Sequence, residues 1–149
     1  MNGRSDRIRE ACWYIDRLLT GRHYRAVLGL CSQALAEEGD DPGLRLRRAR
    51  ALLAMHRDAE AVADVERACA IAPGCVDAFV LHAEIELRRG DLRKAERHLA
   101  VAFRRQPAHP RAAELRKVVS GWYRAAYRVA AGRRVAPIAV APVPLKQAA

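Results

Sequence analysis

Cysteine and histidine are the residues of this chain that could hold a metal or act as nucleophiles. The cysteines lack the paired spacing of a metal site and stand at Cys12, Cys31, Cys69 and Cys75. The histidines are scattered along the chain, at His23, His56, His82, His98 and His109. No glycine-rich phosphate loop or nucleophile motif accompanies them. The sequence therefore predicts a protein that is not an enzyme and holds no metal or cofactor, with reduced cysteines buried between helices.

Length and composition indicate one folded domain. The chain has 149 residues, of which 51% are apolar and 30% charged, so it can bury a core. Residues 1–10 are polar, with no secretory signal, and no segment approaches the ~20 apolar residues of a membrane span. These features predict a cytoplasmic protein.

Small and apolar residues recur at intervals of 34 along most of the chain. Four series keep this interval: Ala34, Ala68 and Ala102; Val27, Ala61 and Ala95; Ile15, Ala49 and Ala83; and Cys31, Val65 and Leu99. A fixed interval of this size predicts a stack of similar supersecondary units. Such stacks present an extended concave surface, which favours binding over catalysis.

Each unit is predicted to contain two helices joined by a short turn. In the second unit, Asp41 can cap a helix that begins with Pro42, and the next helix begins near Asp58. In the third unit, Gly90 suits a left-handed turn and Asp91 suits a helix cap. The two helices of each unit are expected to pair closely through the alanines of the repeat.

A longer helix is predicted from Arg111 to about Ala131, where it would cover the last apolar face of the stack. The chain then divides into three parts. Residues 1–7 form a polar lead-in, residues 8–132 form the repeat domain with its last helix, and residues 133–149 form an extended tail rich in proline, alanine and valine.

The repeat resembles the tetratricopeptide signature. The third unit matches it at Phe79, Ala83, Gly90, Leu92, Ala95, Leu99, Ala102 and Pro107. The second unit matches at Ala49, Leu52, Ala61, Val65, Ala68 and Pro73, and the first only at Leu18, Tyr24 and Ala34. The resemblance covers about residues 8–109, and it departs from the family at Arg48, His82 and Glu86, where apolar residues are usual. It implies an all-α right-handed superhelix of three helix-turn-helix repeats with a C-terminal capping helix.

In that family the first helix of each unit lines the concave groove. The equivalent positions of this chain are Cys12, Asp16, Leu19, Leu46, Arg50, Leu53, Val80, Glu84 and Leu87. Each unit thus places two apolar residues around one charge, whose sign alternates. Two interpretations stay open: half-buried packing residues with charges that pair with one another, or a groove that binds a peptide segment through apolar anchors. The second implies an adaptor or chaperone whose partner is another protein.

A weaker similarity is to the small tetratricopeptide-type chaperones of type III secretion, which hold apolar segments of exported proteins. Those chaperones also comprise about three repeats. They are usually acidic, whereas this chain carries a formal net charge of +10. The oligomeric state stays open, as does the possibility that residues 135–145 fill the groove.

The basic charge is concentrated at the C-terminal end. Residues 110–149 contain eight lysines and arginines but one acidic residue. A basic face is predicted at Lys117, Arg124, Arg128, Arg133 and Arg134. It is either a solvated helix face in an arginine-rich chain or a surface that docks on nucleic acid or an anionic membrane. The sequence shows no basic surface with aromatic residues placed for stacking.

Overall fold

The computed structural model describes residues 3–132, which contain seven helices and no strand. The helices are α1 (Gly3–Thr20), α2 (Tyr24–Glu38), α3 (Pro42–Ala54), α4 (Asp58–Ile71), α5 (Val76–Arg89), α6 (Leu92–Arg105) and α7 (Pro110–Ala130). The all-α prediction is confirmed. The predicted tail, residues 133–149, lies outside the described residues.

The repeat interval of the sequence is also an interval of the structure. Equivalent helices begin at that same spacing, at Tyr24, Asp58 and Leu92 for the second helix of each pair and at Pro42, Val76 and Pro110 for the first. The first helix, α1, begins earlier, at Gly3, so residues 3–7 of the polar lead-in are helical. The polar residues there include no helix breaker beyond the glycine itself.

The turns inside the three hairpins share one geometry. In each turn a backbone N–H donates to a carbonyl five residues earlier at 2.9 Å, and the pairs are His23 with Leu18, Arg57 with Leu52 and Asp91 with Glu86. This bond is typical of a helix ending in which one residue adopts the left-handed conformation. That residue is Arg22, His56 or Gly90, with φ of 60°, 59° and 81°. The sequence predicts the conformation at Gly90, but the other two turns adopt it without glycine.

Side-chain caps fix several helix starts as the sequence predicts. Asp41 directly precedes Pro42, the first residue of α3, and its carboxylate accepts a hydrogen bond from the Leu44 N–H at 2.9 Å. The Asp91 carboxylate accepts from the Lys94 N–H at 3.0 Å at the start of α6. Because the first N–H groups of a helix have no partner within it, each cap satisfies one of them.

The helices pack as a row of hairpins. Each helix contacts the next in sequence, and α1, α3, α5 and α7 also contact one another in succession, whereas α2, α4 and α6 do not within the described chain. We refer to α1, α3, α5 and α7 as the inner helices. Three core clusters follow one another along the row, centred on the first hairpin, on α3–α5 and on α5–α7.

The recurring residues of the sequence are buried, except Ala34, which is half-buried. Ala49 and Ala61 lie together in the second cluster and Ala83 and Ala95 in the third, all fully buried. Their small side chains let paired helices approach closely, so any larger residue would overpack the contact. Within residues 3–132, no helix combines the length and apolar composition needed to cross a membrane.

Candidate peptide-binding surface and basic face

The nine residues of the predicted groove all lie on the inner helices α1, α3 and α5. Four of the apolar ones are core residues: Leu53 is fully buried, and Leu46, Val80 and Leu87 are 4–6% exposed. Leu46 and Leu53 belong to the second core cluster, and Val80 and Leu87 to the third. Since neighbouring helices cover them, these four side chains are not available as anchors in this structure.

The remaining groove residues are more accessible, with one exception. Cys12, Asp16, Leu19 and Arg50 are half-buried, whereas Glu84 is buried. The accessible part of the predicted groove therefore lies on α1 and α3, towards the N-terminal end of the row. Its apolar contribution comes from Cys12 and Leu19.

Both groove carboxylates are paired with arginines of the adjacent inner helix. Asp16 on α1 accepts hydrogen bonds from Nε and Nη2 of Arg47 on α3, at 2.8 and 2.7 Å. Glu84 on α5 accepts from Nη2 of Arg111 on α7 at 2.8 Å. Two donors in one plane make the Asp16 contact bidentate, which fixes the orientation of both side chains. These pairs join α1 to α3 and α5 to α7, and they neutralise the two negative charges of the groove.

Arg50 differs from both carboxylates at the equivalent position. Within the described residues its side chain makes no hydrogen bond and no ion pair, although it is half-buried on α3. Of the three alternating charges, Asp16 and Glu84 have ion-pair partners, and Arg50 has none within the described residues. An arginine in this state can pair with a carboxylate from outside the chain.

A further contact joins the inner helices α3 and α5. The Nη1 group of Arg88 donates to the backbone carbonyl of Leu53 at 2.9 Å. Carbonyls at a helix C-terminus lack partners within the helix, and an arginine also complements the negative end of the helix dipole. Arg88 therefore holds the end of α3 against α5.

The cysteines differ in exposure. Cys31 is buried in the first cluster, and its burial raises the thiol pKa to about 12. Cys12 and Cys69 are half-buried, and burial raises the pKa of both thiols. A thiol with a raised pKa is a weak nucleophile, because the thiolate is the reactive form. Within residues 3–132, no three histidine, cysteine or acidic side chains come together as metal ligands.

Four of the histidines have side-chain contacts, and one of these is His56, whose Nδ1 lies 3.2 Å from Nη2 of Arg88. The rings of His82 and His98 stack between α5 and α6 with their centroids 3.9 Å apart. Burial lowers the pKa of both rings. His109 caps α7, where its Nδ1 accepts from the Ala112 N–H at 3.2 Å, and its Nε2 lies 3.1 Å from the Asp77 carboxylate.

The predicted basic face is exposed where the structure describes it. Lys117, Arg124 and Arg128 are all exposed on α7, whereas Arg133 and Arg134 lie outside the described residues. Two tyrosines accompany them: Tyr123, which the helical pattern places at the edge of this face, is 41% exposed, and Tyr127, which the sequence analysis did not single out, is 77% exposed. Their spacing of four residues was a signal for a shared helix face. Exposure could not be predicted, because it depends on where α6 ends alongside α7.

The comparisons with known proteins add no relative. A scan against models of protein families finds no match to the chain, and a search of curated proteins finds none either.

Proposed function

We propose that the chain is a cytoplasmic, non-catalytic protein-interaction module of the tetratricopeptide type. Its hairpins would form a right-handed superhelix with the inner helices along the concave side and α7 as the capping helix. Support comes from the regular interval between equivalent helices and from the contacts between successive inner helices. The recurrence of the same turn in all three hairpins supports it as well.

The ligand we propose is an acidic peptide segment of another protein. The observation that carries this proposal is the half-buried guanidinium of Arg50, which has no counter-charge in the described chain while its two equivalents are paired. A carboxylate of the peptide would complete the alternation. Cys12 and Leu19 would contact an apolar side chain beside it. The burial of the four other apolar groove residues argues against a groove for a long apolar segment of the type III secretion kind.

The experiment is a peptide-binding selection followed by calorimetry. A library of random peptides is selected on the full chain, and the selected peptides are titrated into the wild type and into Arg50→Glu. We expect enrichment of acidic peptides and a loss of affinity of about tenfold or more in the variant, because a charge-assisted contact becomes a repulsive one. Arg50→Lys should retain part of the affinity.

A control variant separates this contact from general electrostatics. Arg25 on α2 is exposed and makes no ion pair within the described chain, so Arg25→Glu changes the net charge equally. It should bind the peptides like the wild type at physiological salt, where distant exposed charges are screened. If Arg50→Glu and Arg25→Glu behave alike while both remain folded, the assignment of the peptide site is rejected.

A further inference from the structure

The outer surface between α6 and α7 contains an open cleft of about 640 Å³. Its lining residues are Arg93, Glu96, Arg97, Ala100 and Tyr123. A second depression of about 480 Å³ continues from it over the turn between α5 and α6 and shares Arg93 and Tyr123 with it. The two form one continuous surface, which we call the outer cleft. The outer cleft lies on α6, the turn before it and α7, whereas the peptide surface proposed above lies on α1 and α3.

The outer cleft has an excess of unpaired positive charge. Arg93 and Arg97 are both exposed and make no ion pair with any residue of the described chain. The acidic residue between them, Glu96, accepts a hydrogen bond from the Tyr123 hydroxyl at 3.0 Å. Because Glu96 contacts Tyr123 and forms no ion pair with Arg93 or Arg97, the two guanidiniums are left to contact a ligand from solution.

One aromatic ring of α7 lines the outer cleft, and a second follows it along the helix. Tyr123 lines it directly, and Tyr127 follows one helical turn later on the same side of the helix. Each is followed in sequence by an arginine, Arg124 or Arg128, and both arginines are exposed. Exposed rings flanked by cations, beside two unpaired guanidiniums, resemble in chemistry the surfaces on which successive bases stack while their phosphates are neutralised.

A membrane surface fits these residues less well. An interfacial helix needs one apolar face to insert, with the cations on the other. On α7 the exposed apolar residue Val129 lies about 200° around the helix from Tyr127, since consecutive residues are about 100° apart. The tyrosines instead lie among the arginines. An acidic polypeptide would match the charge, but it has no planar groups regularly placed for the two rings.

We infer that the outer cleft and the adjoining face of α7 bind single-stranded nucleic acid without sequence specificity. Tyr123 and Tyr127 stack on successive bases, and Arg93, Arg97, Arg124 and Arg128 contact phosphates. A duplex is excluded as the preferred ligand, because its bases are already stacked on one another and unavailable to the rings.

The first test measures stacking. Fluorescence anisotropy follows the binding of the full chain to fluorescein-labelled oligo(dT) and oligo(U). Each oligonucleotide has about 20 nucleotides, which is long enough to cover one single-strand binding site. Tyr127→Ala should weaken binding about tenfold, whereas Tyr127→Phe, which keeps the ring, should bind like the wild type. Because Tyr127 is 77% exposed, neither change disturbs the core. Equal affinity of the alanine and phenylalanine variants would overturn the inference.

The second test measures charge. With four phosphate contacts on a single strand, the logarithm of the binding constant should fall with the logarithm of salt concentration at a slope of about −3. Arg93→Glu/Arg97→Glu should reduce that slope by about 1.4 or more, since two contacts are lost. Arg22→Glu/Arg25→Glu is the matched control, with the same change in net charge on exposed residues of the first hairpin. If both double variants lower the slope equally, the outer cleft is not the site.

Two further arms identify the ligand class. Phosphatidylserine-rich vesicles and, separately, polyglutamate are titrated in place of the oligonucleotide into Arg50→Glu, in which the proposed peptide surface is blocked. Tighter binding to either one, with little binding to the oligonucleotide, overturns the inference. Arg50→Glu should leave oligonucleotide binding unchanged, and Arg93→Glu/Arg97→Glu should leave peptide binding unchanged, so failure of one proposal is distinguished from failure of the other.

Discussion

Asp64 on α4 is the centre of an ion-pair network whose removal should destabilise the fold. Its side chain is 4% exposed and accepts hydrogen bonds from Arg45 at 2.8 Å and from two nitrogens of Arg48 at 2.7 and 2.6 Å. Both arginines come from α3. Arg45 also pairs with Asp40, which in turn accepts from Arg67 at 2.6 Å. The network therefore joins α3 and α4 to the connection between the first two hairpins.

We predict that Asp64→Leu lowers the free energy of unfolding by about 2–3 kcal/mol. Breaking a buried ion pair typically costs about 3–5 kcal/mol, because the remaining charge is left without a partner. The cost here is at the lower end of that range or below it, since the side chains of Arg45 and Arg48 are 21% and 25% exposed and can regain water. Arg45 also keeps Asp40 as a partner.

Removing both charges should restore most of this loss. Replacing a buried pair with apolar residues of similar volume is often neutral or stabilising. Arg48→Leu/Asp64→Leu should therefore unfold within about 1 kcal/mol of the wild type, and so recover about 1–2 kcal/mol of the stability that Asp64→Leu loses.

The assay is urea unfolding of the full chain, followed by far-ultraviolet circular dichroism. With a slope of about 2 kcal/mol per molar urea, Asp64→Leu should lower the midpoint by about 1–1.5 M. The control is Arg57→Leu, which breaks a more exposed pair with Glu60 and should cost less than about 1 kcal/mol. A single variant within about 0.5 kcal/mol of the wild type, or a double variant no more stable than the single, would refute the reasoning.

Two further predictions concern the turns and the stacked histidines. Arg22 and Gly90 both have a left-handed backbone conformation, which favours glycine. In the same assay, Arg22→Gly should therefore stabilise the chain by about 1 kcal/mol, and Gly90→Ala should destabilise it by a similar amount. Unchanged urea midpoints would contradict this prediction. Burial lowers the pKa of His82 and His98, so below about pH 6.5 the unfolded chain binds more protons than the folded one. The contribution of these two rings to the free energy of unfolding should be complete above that pH and should decrease as the pH falls. The free energy of unfolding of His82→Phe/His98→Phe should therefore depend less steeply on pH than that of the wild type. An equal dependence in both proteins would exclude this histidine pair as the cause of the loss of stability.

At two positions that depart from the repeat signature, the sequence did not predict which residue on the neighbouring helix would be the partner. Arg48 and His82 occupy equivalent positions, and so do their partners Asp64 and His98, each pair separated by one repeat. One hairpin fills the site with an ion pair and the next with a ring stack. Both residues were visible as departures, but nothing in the sequence indicated that each is matched by a compensating partner on the second helix.

The sequence by itself determined the helices, their caps and the interval at which they recur. These features depend on local contacts, such as the Asp41 cap before Pro42, and on periodicity that a single chain displays completely. The tertiary structure alone decided which groove residues are accessible. Leu53 is buried in the second core cluster, and Arg50 is unpaired because no acidic side chain of the described chain lies within ion-pair distance of it. Such contacts join residues far apart in the sequence, as Asp16 and Arg47 are, and no repeat register specifies them.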